Sequence, residues 1–211
     1  NTMLLSKRQK QMMDFAMEQI YEKEKSNKLM INILSHIVEF RNGESGLHVL
    51  HIQTITEMLL RQLVQKENNR YALSKEQIRM ITTASALHDI GKISIPDEIL
   101  NKPGRLTAEE FAVIKGHSMA GANMLSELPL DQKEEPLVKT AYEICRWHHE
   151  RYDGGGYPDG LKGEEIPVSA QVVALADVYD ALTSERCYKD AYSHEKAIEM
   201  ILAGQCGAFN P

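Results

Sequence analysis

The sequence predicts an all-α fold led by a long N-terminal helix. Three observations carry this. Apolar residues recur at spacings of three and four along most of the 211 residues, no long stretch alternates with the two-residue period of a strand, and glycine and proline concentrate in two segments.

The first segment, Leu4 to Val38, has Met12, Phe15, Ala16 and Ile20, then Met30, Ile33, Leu34 and Ile37, at helical spacing, with no Gly or Pro to interrupt it. It reads either as a surface helix packed on its own domain or as a signalling or dimerisation helix arriving from an upstream sensor or receiver domain. Residues 1–38 are therefore set apart from a domain over 39–211. Next, Glu44 and His48 stand four apart, on one face, at the head of a helix continuing through Ile52, Ile55 and Leu59. Ser74-Lys75-Glu76-Gln77 and Thr107-Ala108-Glu109-Glu110 read as capping boxes. Asp131 and Glu134 before Pro136 open a further helix; Pro167 or Ser169 opens another, and Ser193 caps a last one running to about Ala203. The segments Asn101–Arg105 and Asp153–Pro167 are loops.

Composition narrows the function. At 43% hydrophobic residues the chain can build a sizeable core, and its formal net charge of −6 disfavours a nucleic-acid polymer as partner. A small anionic substrate stays open, because bound metals bring local positive charge. Cys145, Cys187 and Cys206 form no CxxC pair, which fits a reducing, cytoplasmic setting. No apolar run approaches the roughly 18 residues of a membrane span and no signal peptide is visible, so no membrane contact is expected. A chain that starts without Met and stops at Phe209-Asn210-Pro211 reads as a piece of a longer protein.

The chemistry lies in histidines and aspartates. His88-Asp89 falls at the end of the Ser74 helix, on the stripe formed by Ile78, Ile81, Ala84 and Ser85. His148 continues the apolar face of Leu137, Ala141, Ile144 and Cys145, and its neighbour His149 points about 100° away around the helix. Asp177 sits in Val172-Val173-Ala174-Leu175-Ala176-Asp177, where an ionised carboxylate is costly unless it binds something; Asp180 is one turn on. His117 precedes the small residues Ala120, Gly121 and Ala122, which let helices approach closely. Each feature alone has a bland reading: a polar helix end for His88-Asp89, a satisfied core histidine for His117, an N–H or Arg partner for Asp177. Together with Glu44 and His48 they make five histidines, two aspartates and one glutamate, more than one tetrahedral zinc needs. The set suits two or three octahedral ions, and Fe or Mn best, with Zn, Ni and Co open. Paired metals about 3.5–4 Å apart are a common device for phosphodiester hydrolysis.

His48, His88-Asp89 and Asp177 resemble the ligand signature of the HD phosphohydrolase superfamily. His88-Asp89-Ile90-Gly91-Lys92, His117, His148-His149-Glu150 and Gly156-Tyr157-Pro158 resemble its HD-GYP subfamily from about Arg41 onward. The resemblance implies an all-α HD-domain bundle of five or more helices around a bi- or trinuclear centre. It implies hydrolysis of cyclic di-GMP to pGpG and onward to GMP. By position, the metal ligands would be Glu44, His48, His88, Asp89, His117, His148, His149 and Asp177, with Glu44 holding a third metal and Asp89 bridging. Lys92 would act with Asp89 in catalysis and touch a phosphate; Arg186 and Lys189 would contact the dinucleotide; Tyr157 would shape the pocket, in a loop implicated in partner contacts. One departure stands out: relatives often have Arg where this chain has His51. It reads as a tolerated surface change, or as a residue steadying a carboxylate or phosphate only when protonated. The competing readings are hydrolysis of another nucleotide (ppGpp, a dNTP or cyclic GMP-AMP), a non-catalytic cyclic-dinucleotide sensor, and an iron oxygenase. The GYP loop and the Arg186/Lys189 pair argue against ppGpp and dNTPs, the intact ligand set against a sensor, and Lys92, Arg186 and Lys189 for hydrolysis over oxygenation.

Overall fold

The computed structural model describes residues 2–41, 46–66, 70–185 and 191–211. Among them there are nine α-helices and no strand. α1 spans Thr2–Arg41, α2 His48–Leu63, α3 Lys75–Ser85, α4 Asp97–Leu100, α5 Ala108–Ser126, α6 Leu130–Lys133, α7 Pro136–Trp147, α8 Val168–Thr183 and α9 His194–Leu202. Short 3-10 turns cover Ile90–Ser94 and Gly163–Glu165.

The start signals act as the sequence predicts. Ser74 and Thr107 each accept from the backbone N–H three residues on, and Gln77 and Glu110 reciprocate. Each such cap is worth about 0.5–2 kcal/mol. Ser193 caps α9, Pro136 occupies the first turn of α7 behind Glu135, and Pro167 precedes α8.

α2, α3, α7 and α8 enclose the core, built from Ile52, Leu60, Ile78, Ile81, Ala84, Ala141, Ile144, Val173 and Ala176. Burying each large aliphatic side chain contributes about 1.5–3 kcal/mol. α5 packs against α7 and the Ile90–Ser94 turn. Glycine permits that approach: a Cβ on Gly91 would fall on the carbonyl of His117, and Gly121 lies against Ile90 and Cys145.

α1 stands largely apart. Residues 7–30 are exposed throughout, and burial begins only near Ser35, Val38 and Glu39. Its end is clamped. The Arg41 guanidinium donates to the carbonyls of Lys92, Ile93 and Ile95 at 3.1, 2.8 and 2.6 Å and pairs with Asp97 at 2.9 Å. Asn101 donates to the Arg41 carbonyl. No helix among the described residues is long and apolar enough to cross a membrane.

Candidate metal centre

Three helix ends and the middle of a fourth helix deliver the cluster. His48 is the first residue of α2, His88-Asp89 follows α3, His117 lies within α5, and His148 ends α7 with His149 beyond it. His48, His88, Asp89, His117 and His148 are buried, His149 partly so. Asp177, on α8, is less enclosed.

Nδ1 of His88 donates to Ser85 O (2.9 Å), of His117 to Ile114 O (2.7 Å), of His148 to Ile144 O (2.8 Å), and of His48 to Asp180 Oδ2 (2.6 Å). With Nδ1 so engaged, each ring turns its Nε2 toward the cluster. Asp89 is the hub. Its Oδ1 lies 3.1 Å from His117 Nε2 and 3.8 Å from His148 Nε2, and its Oδ2 3.2 Å from His88 Nε2 and 2.7 Å from Lys92 Nζ. Nε2 of His117 and of His148 are 3.4 Å apart. Two lone pairs at that separation repel unless a cation or proton lies between them. Donors on one ion lie roughly 3–4 Å apart, as bond lengths of about 2.0–2.2 Å dictate. Asp89, His117, His148 and His149 form one group of that size, and His48, His88 and Asp89 a second. His88 Nε2 and Asp89 Oδ1 are buried yet make no well-formed hydrogen bond among the described residues, as atoms reserved for a metal would. The residues fit the ions that the sequence implies.

Electrostatics agree. Burial pushes the His148 pKa down, helped by the neighbouring charges of His88 and His117, to about 3, so the ring is neutral and able to ligate. Burial and His148 hold His149 well below its usual value. At His88 burial also acts downward, but the charge of Asp89, with that of Asp177, outweighs it and lifts the pKa to about 9. Burial would raise Asp89; Lys92 and His88 overcome this and hold it ionised. Cys145, against the Leu87 carbonyl, has its thiol pushed up by burial and by Asp89 and is no thiolate ligand.

Of the ligands expected from sequence, His48, His88, Asp89, His117, His148 and His149 come together, and Asp177 Oδ1 lies 3.8 Å from His48 Nε2. Glu44, Arg186, Lys189 and Cys187 lie outside the described residues. Lys92 sits on Asp89. Tyr157 stacks on His149, with ring centroids 4.7 Å apart, and Lys115 Nζ lies 5.5 Å from the Tyr157 ring. The Tyr157–Pro158 peptide is cis. A side chain at Gly156 would overlap the backbone of Glu150 and Arg151.

Three residues have roles that spacing alone did not assign. Asp180 is the acceptor behind His48; its place one turn after Asp177 was the available signal. His51, where relatives often have Arg, lies against a carboxylate: its Nδ1 is 2.7 Å from Asp180 Oδ1. Glu150 is turned to the loop that follows it. Its carboxylate accepts from the N–H groups of Asp159, Gly160 and Leu161 and so ties down the GYP loop.

Fold and site thus define an all-helical protein whose helices converge on a buried His/Asp cluster that can hold metal. The chain belongs to the HD domain family, whose model matches residues 28–207. It is 41% identical to a probable cyclic di-GMP phosphodiesterase of Vibrio cholerae over 90% of this chain and 43% of that protein. It is 39% identical to a 3'3'-cGAMP-specific phosphodiesterase of the same organism, over 90% of this chain and 34% of that one. It therefore spans less than half the length of these relatives. The crystal structure of a V. cholerae cyclic GMP-AMP-specific phosphodiesterase superposes with a TM-score of 0.58 at 18% identity, covering 88% of this chain and 46% of that one. HD domains bind divalent metals, and the His/Asp cluster here can hold them.

Proposed function

We propose that the chain hydrolyses the 3'–5' phosphodiester bonds of cyclic di-GMP to pGpG and onward to GMP, as the cytoplasmic output domain of a longer signalling protein. The observation that carries this reading is Asp89, shared by two groups of ligand atoms. Asp89, His117, His148 and His149 would hold one divalent ion, and His48, His88, Asp89 and Asp177 a second. Glu44 would serve a third. The oxygen- and imidazole-rich, thiolate-free donors favour Fe or Mn over Zn, Ni or Co. Bound there, such ions supply Lewis acidity, lowering the pKa of water and drawing off phosphoryl charge.

The chain's own groups do the rest. Lys92, beside Asp89, presents an ammonium to a phosphate oxygen at the edge of a poorly hydrated site, where such charge is most effective. Tyr157, held on His149 by stacking and set by the Glu150-tied loop, forms a wall for a flat base. Arg186 and Lys189 would complete the dinucleotide contacts. The GYP loop is also a candidate for partner contacts. Replacing both His88 and Asp89 with Ala should abolish hydrolysis in purified, folded protein; retained activity would refute the site.

The 39% identity to a cGAMP-specific relative favours one second reading, cyclic GMP-AMP as substrate. Chromatography of products from the two dinucleotides offered together decides between them.

A further inference from the structure

We propose that Arg151 is a substrate contact, a guanidinium fork that takes the phosphate of the cyclic dinucleotide lying away from the metal centre. The inference rests on the cyclic di-GMP reading above and gives a role to the residue that follows His148-His149-Glu150.

Arg151 is half-buried. Its Nη1 donates to the carbonyls of Glu150 (3.0 Å) and His148 (3.4 Å). Its guanidinium carbon stands 5.4 Å from the centroid of the Phe209 ring. The segment carrying Phe209 is laid against this stretch, with the Tyr152 N–H donating to Ala208 O at 2.9 Å. At Gly207 φ is +97°, and a Cβ would come within 2.5 Å of Arg151 Cδ and Nε. Glycine there leaves the Nε side of the fork without a side chain over it. No carboxylate among the described residues pairs with Arg151, and none of their atoms accepts from its Nε or Nη2. An enclosed cation without an anion is costly. Asp177 and then Tyr157 are the charges that most oppose the effect of its burial. Coulombic influence falls with distance, so the guanidinium stands on the flank of the site that these two residues form. An arginine held through one terminal nitrogen still offers Nε and Nη2, a pair that grips phosphate oxygens bidentately. A cyclic dinucleotide carries two phosphates. The metal centre and Lys92 would serve the one being cut, which leaves the other for a fixed cation.

The test compares cyclic di-GMP, with two phosphates, and bis(p-nitrophenyl) phosphate, with one. Wild-type, Arg151→Gln and Arg151→Lys proteins are loaded with Mn, and their metal content is counted. Circular dichroism checks the fold. Arg151→Gln should raise KM for cyclic di-GMP roughly tenfold or more, the loss expected when a charge-assisted hydrogen bond goes. Its kcat, Mn content and turnover of bis(p-nitrophenyl) phosphate should match wild type. Arg151→Lys, which keeps the charge and loses the fork, should fall between, and it carries the test should Arg151→Gln fail to fold. An unchanged KM for cyclic di-GMP in a folded variant would overturn the proposal. So would failure of both variants to fold, a loss of Mn, or an equal loss on both substrates, the results expected of a purely structural clamp on the His148 and Glu150 carbonyls. Wild-type protein that cleaves bis(p-nitrophenyl) phosphate but not cyclic di-GMP would instead sink the reading on which the proposal rests.

Discussion

His48 shows how much of the site is set one residue at a time. Its Nδ1–H is committed to Asp180, Asp180 is held in turn by His51 and Ser184, and its Nε2 lies 3.8 Å from Asp177 Oδ1. Asp180→Asn would put an amide where an acceptor is needed and let the ring turn. We expect metal affinity to fall about 10–100-fold with the fold intact, read by chelator competition. His88 makes a pH prediction. In metal-free protein its pKa is raised to about 9, so it is protonated at neutral pH, whereas coordination needs a bare Nε2. Metal uptake at pH 7.5 should release about one proton from this ring, measurable in buffers of different ionisation enthalpy. Affinity should weaken as pH falls. The stability that protonated His88 gives the metal-free fold is full below about 6.5, its unfolded value, and is lost as pH rises through about 9. The ligands were legible in the sequence because imidazole and carboxylate on apolar stripes are conspicuous. Asp180 and His51 were not, because their roles depend on α2 and α8 lying side by side, which no spacing along the chain encodes.

At the scale of elements, the cluster is built from the ends of α2, α3 and α7 and the middle of α5. Placing His88-Asp89 after α3 and His148-His149 after α7 lets short turns aim side chains that a continuous helix would splay. Capping boxes, Pro136 and Ser193 made these helices readable to within a residue or two, since caps are local chemistry. The Ile90–Ser94 turn and its approach to α5 were not readable, because they arise from tertiary packing. Gly91 is the test. Gly91→Ala should cost about 1–3 kcal/mol through overpacking against the His117 carbonyl, lowering Tm and displacing His117 from Asp89. Wild-type Tm and metal content in that variant would mean that the two elements can separate without consequence. Glu150→Gln should loosen the GYP loop, raising KM for the dinucleotide more than it lowers metal content.

At the scale of the whole molecule, α1 is exposed over residues 7–30 and buried only near its end. Met13, Ile20, Met30, Leu34 and Ile37 are exposed along that helix. We propose that they pack against a second copy, the dimerisation reading of this segment. Changing Ile20 and Leu34 to Glu should raise the dimer dissociation constant at least tenfold in sedimentation experiments while leaving metal content unchanged. A monomeric wild type would contradict this. The sequence made the long helix evident by its unbroken period. It did not reveal that the helix ends by burying Glu39 beside His48, because one acidic residue among many on a Lys- and Glu-rich helix carries no local mark. The central claim is a multinuclear centre that cleaves cyclic di-GMP. It is tested most directly by counting metals in anaerobically purified protein and following its products from cyclic di-GMP with Fe or Mn. The account predicts at least two metals per chain and conversion to pGpG; full activity with fewer than two metals, or an inert protein with all sites filled, would contradict it.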